Sequence, residues 1–513
     1  MGLLCTIKAS DLMKYLFFLL FLYTGIQKLT AQDKIEAQLY STSLKDSVKY
    51  TLYFPEDWEG WDDASKHPVL YAINYGVITG DYLQAQVSYF RKRRLTMPNS
   101  LIVVIDASMK RMGYSYETGN LSAEGLHFVD FLKKELIPSI EKTHNTSTFR
   151  TYIGHSFSAS FGNYLFLNEP ELFKGYIMLA AEKIAEEKPP FHLSNYAKDY
   201  YNHQPTFYYA AVGQFDLQRR RNYAKEIQKE TGSLDTSKFF FRYDSLSLAD
   251  HGNILTLAIQ FALEHTYQFY TPYSAKDEKD VVKDLQAIHA RIDDIYGIEP
   301  EKNFTFYNPF AQEAIKNNDK AGLVEVLKYF ESNRLKGWNL MQFGQYCLRL
   351  QLKEKAKYYL GLAIEKIRHE EMNSNLGPEN LLSCYSDLAF GVYEKEPEKG
   401  WDYLLKGLTL YQTNNKYLLK DGKVYFDLGK FSAINNYHVK EGLQYLLTYV
   451  SDHADTSNLP SYQSRISNDV AYYYIAKNYL QLKQPKKAKP YLIKALALNK
   501  ENKAADQLLK QIQ

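Results

Sequence analysis

The stretch Phe149-Arg150-Thr151-Tyr152-Ile153-Gly154-His155-Ser156-Phe157-Ser158-Ala159-Ser160-Phe161-Gly162 decides how the rest of the chain is read. An apolar run ends at Gly154, a serine follows two residues later, and small residues lead into a helical pattern. This is the layout of a nucleophile elbow, a sharp turn from strand to helix that lifts a serine hydroxyl above a sheet. The serine of such a turn sits in strained backbone, and bulky residues two before or two after it would collide. Gly154 fills the first of those positions and Ser158 the second, where glycine is usual. The pattern is therefore G-x-S-x-S, and the expected elbow is a weakened one. A pentapeptide alone says little, because most such matches are ordinary turns. The order of elements around it carries the argument.

Upstream, Ile35 to Phe54 alternates apolar and polar residues about a turn near Leu44-Lys45-Asp46, which predicts an antiparallel hairpin at a sheet edge. Short apolar runs without alternation follow at Pro68–Ile73, Leu101–Ile105, Tyr152-Ile153, Gly175–Leu179 and Phe207–Val212. Runs of that kind are buried on both faces, as in a parallel sheet. Between Ala123 and Lys142, Leu126, Val129, Leu132, Leu136 and Ile140 recur at helical spacing. Strands alternating with helices after an initial hairpin predict an α/β hydrolase fold, a mostly parallel sheet with helices on both faces.

Functional groups of such sheets lie beyond the carboxyl ends of the strands. Ser156 follows one strand, Asp216 follows the strand ending at Val212, and His251 follows the strand Phe239–Tyr243. Ser, Asp, His is the chain order of the α/β hydrolases. A serine hydroxyl is a poor nucleophile at neutral pH, so His251 is expected to accept its proton and return it to the leaving group. Asp216 is the candidate for holding the imidazole in the right tautomer, with Asp250 and Asp244 as rivals. An oxyanion hole needs two backbone N–H donors. Phe157, after the serine, is expected to supply one, and the loop Asn74-Tyr75-Gly76-Val77 the other, with Tyr75 preferred.

Residues 128–138 and Ile153–Phe157, with Glu169-Pro170-Glu171-Leu172-Phe173, Ile105-Asp106-Ala107 leading to Arg111, and Ala249-Asp250-His251-Gly252, resemble the esterase family of α/β hydrolases that includes the siderophore (enterochelin-type) esterases. The resemblance covers roughly Gln32 to Tyr270. It implies ester hydrolysis by the serine and histidine named above and an acid at the position of Asp216. Three places depart from the family pattern: Asn74-Tyr75 for Asp-Gly, Ser158 for glycine, and Ala180-Ala181 for Ser-Pro.

The remaining features bound the setting. Lys14 precedes the apolar run Tyr15–Tyr23, with Ala31-Gln32 as the expected cut, so residues 1–31 read as a secretion signal and the protein as exported, periplasmic or secreted. The run is short for a bilayer span, which argues against a permanent membrane anchor. The chain has 513 residues, 45% of them hydrophobic, enough for two or three domains with sizeable cores. A formal net charge of +3 without a dense basic tract points away from nucleic acid. No H-E-x-x-H, C-x-x-C or Walker-type loop is present, so neither metal nor cofactor is expected. Cys347 and Cys384 fall on apolar helical stripes and read as buried free thiols.

Residues 32–272 are thus the expected esterase domain and 273–336 a linker and helical collar. From Gly337 onward a repeat of about 34 residues aligns, the length of a tetratricopeptide helix pair. Tyr472, Ile475, Ala476, Tyr479, Ala488, Leu492 and Ala495 occupy its offsets, as do Leu340, Phe343, Gly344, Cys347, Ala356, Leu360 and Ala363 in a first copy. Residues 337–513 therefore resemble tetratricopeptide repeats, which implies a surface for a protein or peptide partner or a brace. Two readings follow. One is an exported serine esterase acting on a small-molecule or glycan-linked ester, and the other is an inactive hydrolase-fold scaffold that binds through its repeats.

Overall fold

The computed structural model describes residues 34–55, 66–74, 78–94, 96–113, 120–182, 192–271, 280–300, 304–330, 335–374, 376–413, 422–452 and 467–512. The expected secretion signal lies outside the described residues, as do Tyr75, Gly76 and Val77 and most of the expected linker. The described residues fall into two compact units, one of residues 34–271 with 286–300 and the other of 280–285 with 304–512.

In the first unit the alternating segment forms the antiparallel hairpin β1 (Lys34–Ser41) and β2 (Asp46–Tyr53), with β1 alternating between exposed and half-buried positions along most of its length. The apolar runs form β3 (His67–Asn74), β4 (Leu101–Asp106), β5 (Thr146–His155), β6 (Gly175–Leu179), β7 (Thr206–Gly213) and β8 (Phe239–Leu246). β6 and β7 are buried along their whole length, as runs without alternation require. The eight strands lie in the order β1-β2-β4-β3-β5-β6-β7-β8. β2 pairs antiparallel with β4, and every pair from β4 through β8 is parallel. This is the α/β hydrolase sheet. The carboxyl ends of β5, β7 and β8 therefore open on one edge, with β6 between β5 and β7.

Helices α1 (Gly80–Tyr89), α2 (Ala123–Asp130), α3 (Ile137–Thr143), α4 (Phe157–Asn168), α5 (Asn195–His203), α6 (Gln218–Thr231) and α7 (Ile254–Thr266) connect these strands. A π-helical turn, Phe131–Leu136, joins α2 to α3. Helix α8 (Val281–Tyr296) belongs to the first unit from Gln286 onward, so the expected collar is divided between the units. The fully buried Tyr296 explains why: its ring lies 4.8 Å from Phe149, 5.6 Å from Tyr267 and 6.2 Å from Phe207. Its hydroxyl donates to the Thr266 carbonyl at 3.1 Å.

The second unit is all helical. After α9 (Phe304–Lys316) and α10 (Lys320–Lys328), described helices pair as hairpins: α11 (Gly337–Arg349) with α12 (Lys353–Lys366), α13 (Gly377–Asp387) with α14 (Pro397–Thr413), α15 (Lys423–Asn435) with α16 (Val439–Asp452), and α17 (Asn468–Gln481) with α18 (Pro485–Leu498). A last helix, α19 (Lys503–Gln511), follows. The hairpins begin at Gly337, Gly377, Lys423 and Asn468, so they recur every 40, 46 and 45 residues and not every 34. The offset between partner helices is short in each case; the connections between hairpins lengthen the period. The expected small residues do sit where helices cross, since Ala356, Ala363, Ala476, Ala488 and Ala495 are fully buried. Cys347 and Cys384 are free and buried, and burial pushes the Cys347 thiol up to about 12 and Cys384 higher still, which leaves both unreactive.

Candidate active site

The end of β5 and the start of α4 build the elbow. Ser156 has φ 56° and ψ −120°, a left-handed backbone that a non-glycine residue holds at a cost of about 1–3 kcal/mol. Its neighbours hold it there. The Ser156 amide donates to the Leu179 carbonyl of β6 at 2.8 Å, and its carbonyl accepts the Ser160 amide at 3.0 Å. A Cβ on Gly154 would lie 2.7 Å from the backbone of Ser158 and Ala159, so no side chain fits there.

Ser158 is buried, and its hydroxyl is not a defect in the turn. It accepts the His155 amide at 2.9 Å and donates to the His155 carbonyl at 2.9 Å. Its own carbonyl accepts the Tyr152 hydroxyl at 2.6 Å. The serine that departs from the usual glycine therefore laces the elbow. Ser160 adds a further tie, donating to the Glu182 carbonyl at 2.8 Å and accepting the Glu182 amide at 3.1 Å.

Two loops bring the other groups to Ser156. Asp216 follows β7 in a turn closed by its amide on the Gly213 carbonyl at 3.1 Å. His251 follows β8. The loops are bonded to each other through Gln214 N–H to the Leu246 carbonyl at 2.9 Å and Phe215 N–H to the Ala249 carbonyl at 3.1 Å. They approach so closely at Gly213 that a Cβ there would stand 2.3 Å from the Ala249 carbonyl oxygen. The result is a chain of contacts: His251 Nε2 is 3.0 Å from Ser156 Oγ, and His251 Nδ1 is 3.0 Å from Asp216 Oδ2. Asp216 is buried, whereas 38% of the His251 side chain is exposed, so the imidazole is reachable from solvent and its acid partner is not. Burial opposes ionisation of Asp216, but the Leu217 amide, His251 and Arg220 outweigh it and hold the carboxyl below the usual carboxylate range.

The rival acids are engaged elsewhere. Asp250 Oδ1 accepts the amides of Gly252 at 2.8 Å and Asn253 at 2.9 Å, shaping the His251 loop. Asp244 accepts the Tyr209 hydroxyl at 2.8 Å and Arg242 Nε at 3.1 Å. Phe157 is the first residue of α4, whose N-terminal end carries partial positive charge. Tyr75, the other expected donor, lies outside the described residues.

Three neighbours escaped the sequence reading. His155 lies under His251 with ring centres 4.6 Å apart, and its Nε2 is 2.8 Å from the His251 carbonyl. A carbonyl only accepts, so Nε2 carries the proton. Burial, then the nearby His251, lowers the His155 pKa to about 4, so it is neutral at ordinary pH. Arg220, buried, reaches both Asp216 and His251, and Glu182 reaches Arg220. The signal was present: Arg219-Arg220-Arg221 open α6, where the helix dipole disfavours cations. Among the described residues no cluster of His, Cys, Asp and Glu has the form of a metal site.

Comparison with known proteins bears on the family and the fold. Residues 41–251 match the family described as "Putative esterase". That family is one of carboxylic ester hydrolases, the class the sequence resemblance implied. No curated protein matches the chain. An uncharacterised protein from Capnocytophaga ochracea is 17% identical, with a TM-score of 0.50 over 65% of this chain and 94% of its own. An IroE-like serine hydrolase from Shewanella oneidensis is 16% identical, with a TM-score of 0.46 over 58% of this chain and 98% of its own. The enterobactin esterase from Shigella flexneri is 12% identical, with a TM-score of 0.35 over 47% of this chain and 60% of its own. At 17% identity the likeness to the Capnocytophaga protein is one of fold.

Proposed function

We propose that the chain is an exported serine esterase that cleaves a small-molecule or glycan-linked carboxylic ester through an acyl-enzyme. Ser156 Oγ attacks the ester carbonyl carbon while His251 Nε2 takes its proton. The tetrahedral oxyanion is received by the Phe157 amide and a second donor from the loop after β3. Collapse breaks the bond to the alcohol oxygen, which leaves with the proton from His251. Water then adds to the acyl-enzyme by the same route, giving the free acid and Ser156. Asp216 keeps Nδ1 protonated, so that Nε2 presents its lone pair to the serine.

The observation that carries the reading is the 3.0 Å contact between His251 Nε2 and a Ser156 held at positive φ. A serine in an ordinary turn needs neither the strain nor the base. In the second unit, a cleft of about 420 Å³ is lined by Leu348, Ser386, Asp387, Phe390, Lys423 and Asp427, and it is the place proposed for a protein or peptide partner. Export is supported by the apolar run after Lys14, and N-terminal sequencing of the native protein should begin near Gln32.

The test is turnover of a p-nitrophenyl acyl ester. Ser156→Ala should lower kcat/KM by several orders of magnitude with the fold intact, and His251→Ala by about as much, because nucleophile and base act as a unit. Asp216→Asn should cost less. A fluorophosphonate should label the wild type at Ser156 and fail on Ser156→Ala. Undiminished turnover in folded Ser156→Ala would overturn the proposal, and a wild type with neither labelling nor turnover would favour the binding scaffold.

A further inference from the structure

The esterase reading uses one contact of His251 Nδ1 and leaves another unexplained. Arg220 Nη1 stands 2.5 Å from Asp216 Oδ1 and 2.8 Å from His251 Nδ1. Nη2 of the same arginine is 3.3 Å from Glu182 Oε2, which Arg219 also reaches at 3.0 Å. Arg220 Nε is buried with no hydrogen-bond partner. Burying a guanidinium is expensive, and placing it in the first turn of a helix adds to that cost. Simple bracing of Asp216 does not require a contact with the imidazole as well.

Nδ1 holds one proton or none in the neutral ring. A carboxylate only accepts hydrogen bonds and a guanidinium only donates them. Asp216 therefore favours the tautomer with Nδ1 protonated, in which Nε2 is free to take the Ser156 proton. Arg220 favours the tautomer with Nδ1 bare, in which Nε2 carries the proton and Ser156 has no base. A fully protonated ring would face the guanidinium at 2.8 Å. Among the described residues, the other charged and titratable groups around this pair include Asp216, Glu182, His155, Asp250 and Arg221, whose Nη1 donates to the Asp216 carbonyl at 2.7 Å. Asp216 offsets Arg220 at Nη1, and Glu182 offsets it at Nη2. His155 packs beneath as a neutral ring. Asp250 is adjacent in sequence, and its Oδ1 accepts the Gly252 and Asn253 amides.

We propose that Arg220, anchored by Glu182, is a positioning residue that sets the charge and tautomer of His251 and so the lower pH limit of turnover. The proposal rests on His251 being the base. Its sign follows from Coulomb's law. Arg220 disfavours the imidazolium, so removing it lets His251 protonate at higher pH and moves the acid limb of kcat/KM upward. Glu182 offsets Arg220, so removing Glu182 moves the limb downward. A residue that merely supports the fold would not give shifts of opposite sign in the two variants.

The experiment titrates His251 by NMR in the full-length protein with labelled histidine imidazoles, the signal being assigned by its loss in His251→Ala. Wild type is compared with Arg220→Met, Arg220→Lys and Glu182→Gln, and the acid limb of p-nitrophenyl ester turnover is recorded for each. The midpoint should rise in Arg220→Met, because a close cation is removed. It should fall, and by less, in Glu182→Gln, whose charge acts through its pairing with Arg220. Arg220→Lys, which keeps the charge, should stay near wild type in midpoint. Midpoints that do not move, or that move the same way in both neutralising variants, overturn the proposal. If Arg220→Met does not fold, an unmoved Glu182→Gln midpoint is sufficient to overturn it. The NMR reading does not depend on turnover, so loss of the esterase reading through Ser156→Ala is a separate outcome.

Discussion

Replacing Ser158 by glycine would bring the elbow to the usual G-x-S-x-G pattern, yet the structure predicts that the change damages it. The Ser158 hydroxyl bonds both the amide and the carbonyl of His155, each at 2.9 Å, in a position with no solvent exposure. Each such bond contributes about 1 kcal/mol, and a buried donor left without a partner costs about 1–3 kcal/mol. Ser158 is also the second residue of α4, where glycine adds about 0.5–1 kcal/mol through backbone entropy. The local loss for Ser158→Gly is then about 2–4 kcal/mol, and Ser158→Ala, which keeps the Cβ, should lose about 1–3 kcal/mol. Hydrogen-exchange mass spectrometry on peptides covering Thr146–Asn168 of the full chain reads this directly, as faster exchange confined to the elbow. Turnover should fall roughly ten- to a hundredfold, since a displacement near 1 Å at the nucleophile costs about that much. Unchanged protection and equal or better turnover in Ser158→Gly would refute the reasoning and return Ser158 to the status of a defect.

Two further outcomes follow from close approaches in the first unit. Gly213→Ala should push the Ala249–Asp250 backbone away, because its Cβ would stand 2.3–3.0 Å from three atoms of that backbone; kcat/KM should drop by roughly a hundredfold with a stability loss of only about 1–3 kcal/mol, and an unaltered kcat/KM would contradict the loop geometry. A fragment of residues 32–301 should fold and keep ester turnover, whereas one ending at Tyr270 loses Tyr296 from its place against Phe149, Phe207 and Tyr267. Burial of one large aromatic is worth about 4–6 kcal/mol, comparable with the whole stability of a domain, so equal urea midpoints for the two fragments would show that α8 is dispensable.

The strands were legible because burial on both faces demands uninterrupted apolar residues, and Phe207–Val212 admits no other reading in a chain of alternating helices. The start of β5 was not: Thr146–Thr151 mixes Ser, Thr and Arg with Phe149, and only its pairing with β3 and β6 makes it strand. The assignment of α8 was equally hidden. Val281–Tyr296 has helical spacing, but nothing local says that Tyr296 belongs under Phe149 and Tyr267, more than a hundred residues and about thirty residues away in sequence. The repeat period departs from the expected one for a related reason. Small residues at fixed offsets report how two helices cross within a hairpin, and they carry no information about the length of the connection to the next hairpin.

At the site, the order Ser156, Asp216, His251 was readable because strand ends in a parallel sheet converge, whatever the intervening sequence. What escaped was everything that acts by charge across the sheet edge. Ser158 looked like a loss because a family pattern records which residue is usual and not which bonds an alternative can make. Arg219-Arg220-Arg221 draws no reading from the sequence alone, yet each has a different inward duty. Arg219 meets Glu182, Arg220 meets Asp216 and His251, and Arg221 Nη1 donates to the carbonyls of Gly213 at 3.2 Å, Gln214 at 2.6 Å and Asp216 at 2.7 Å. Three cations at the positive end of a helix oppose its dipole. That local conflict was the sequence's own indication that tertiary partners were waiting, and those partners are the loop, the acid and the base on which the proposed reaction depends.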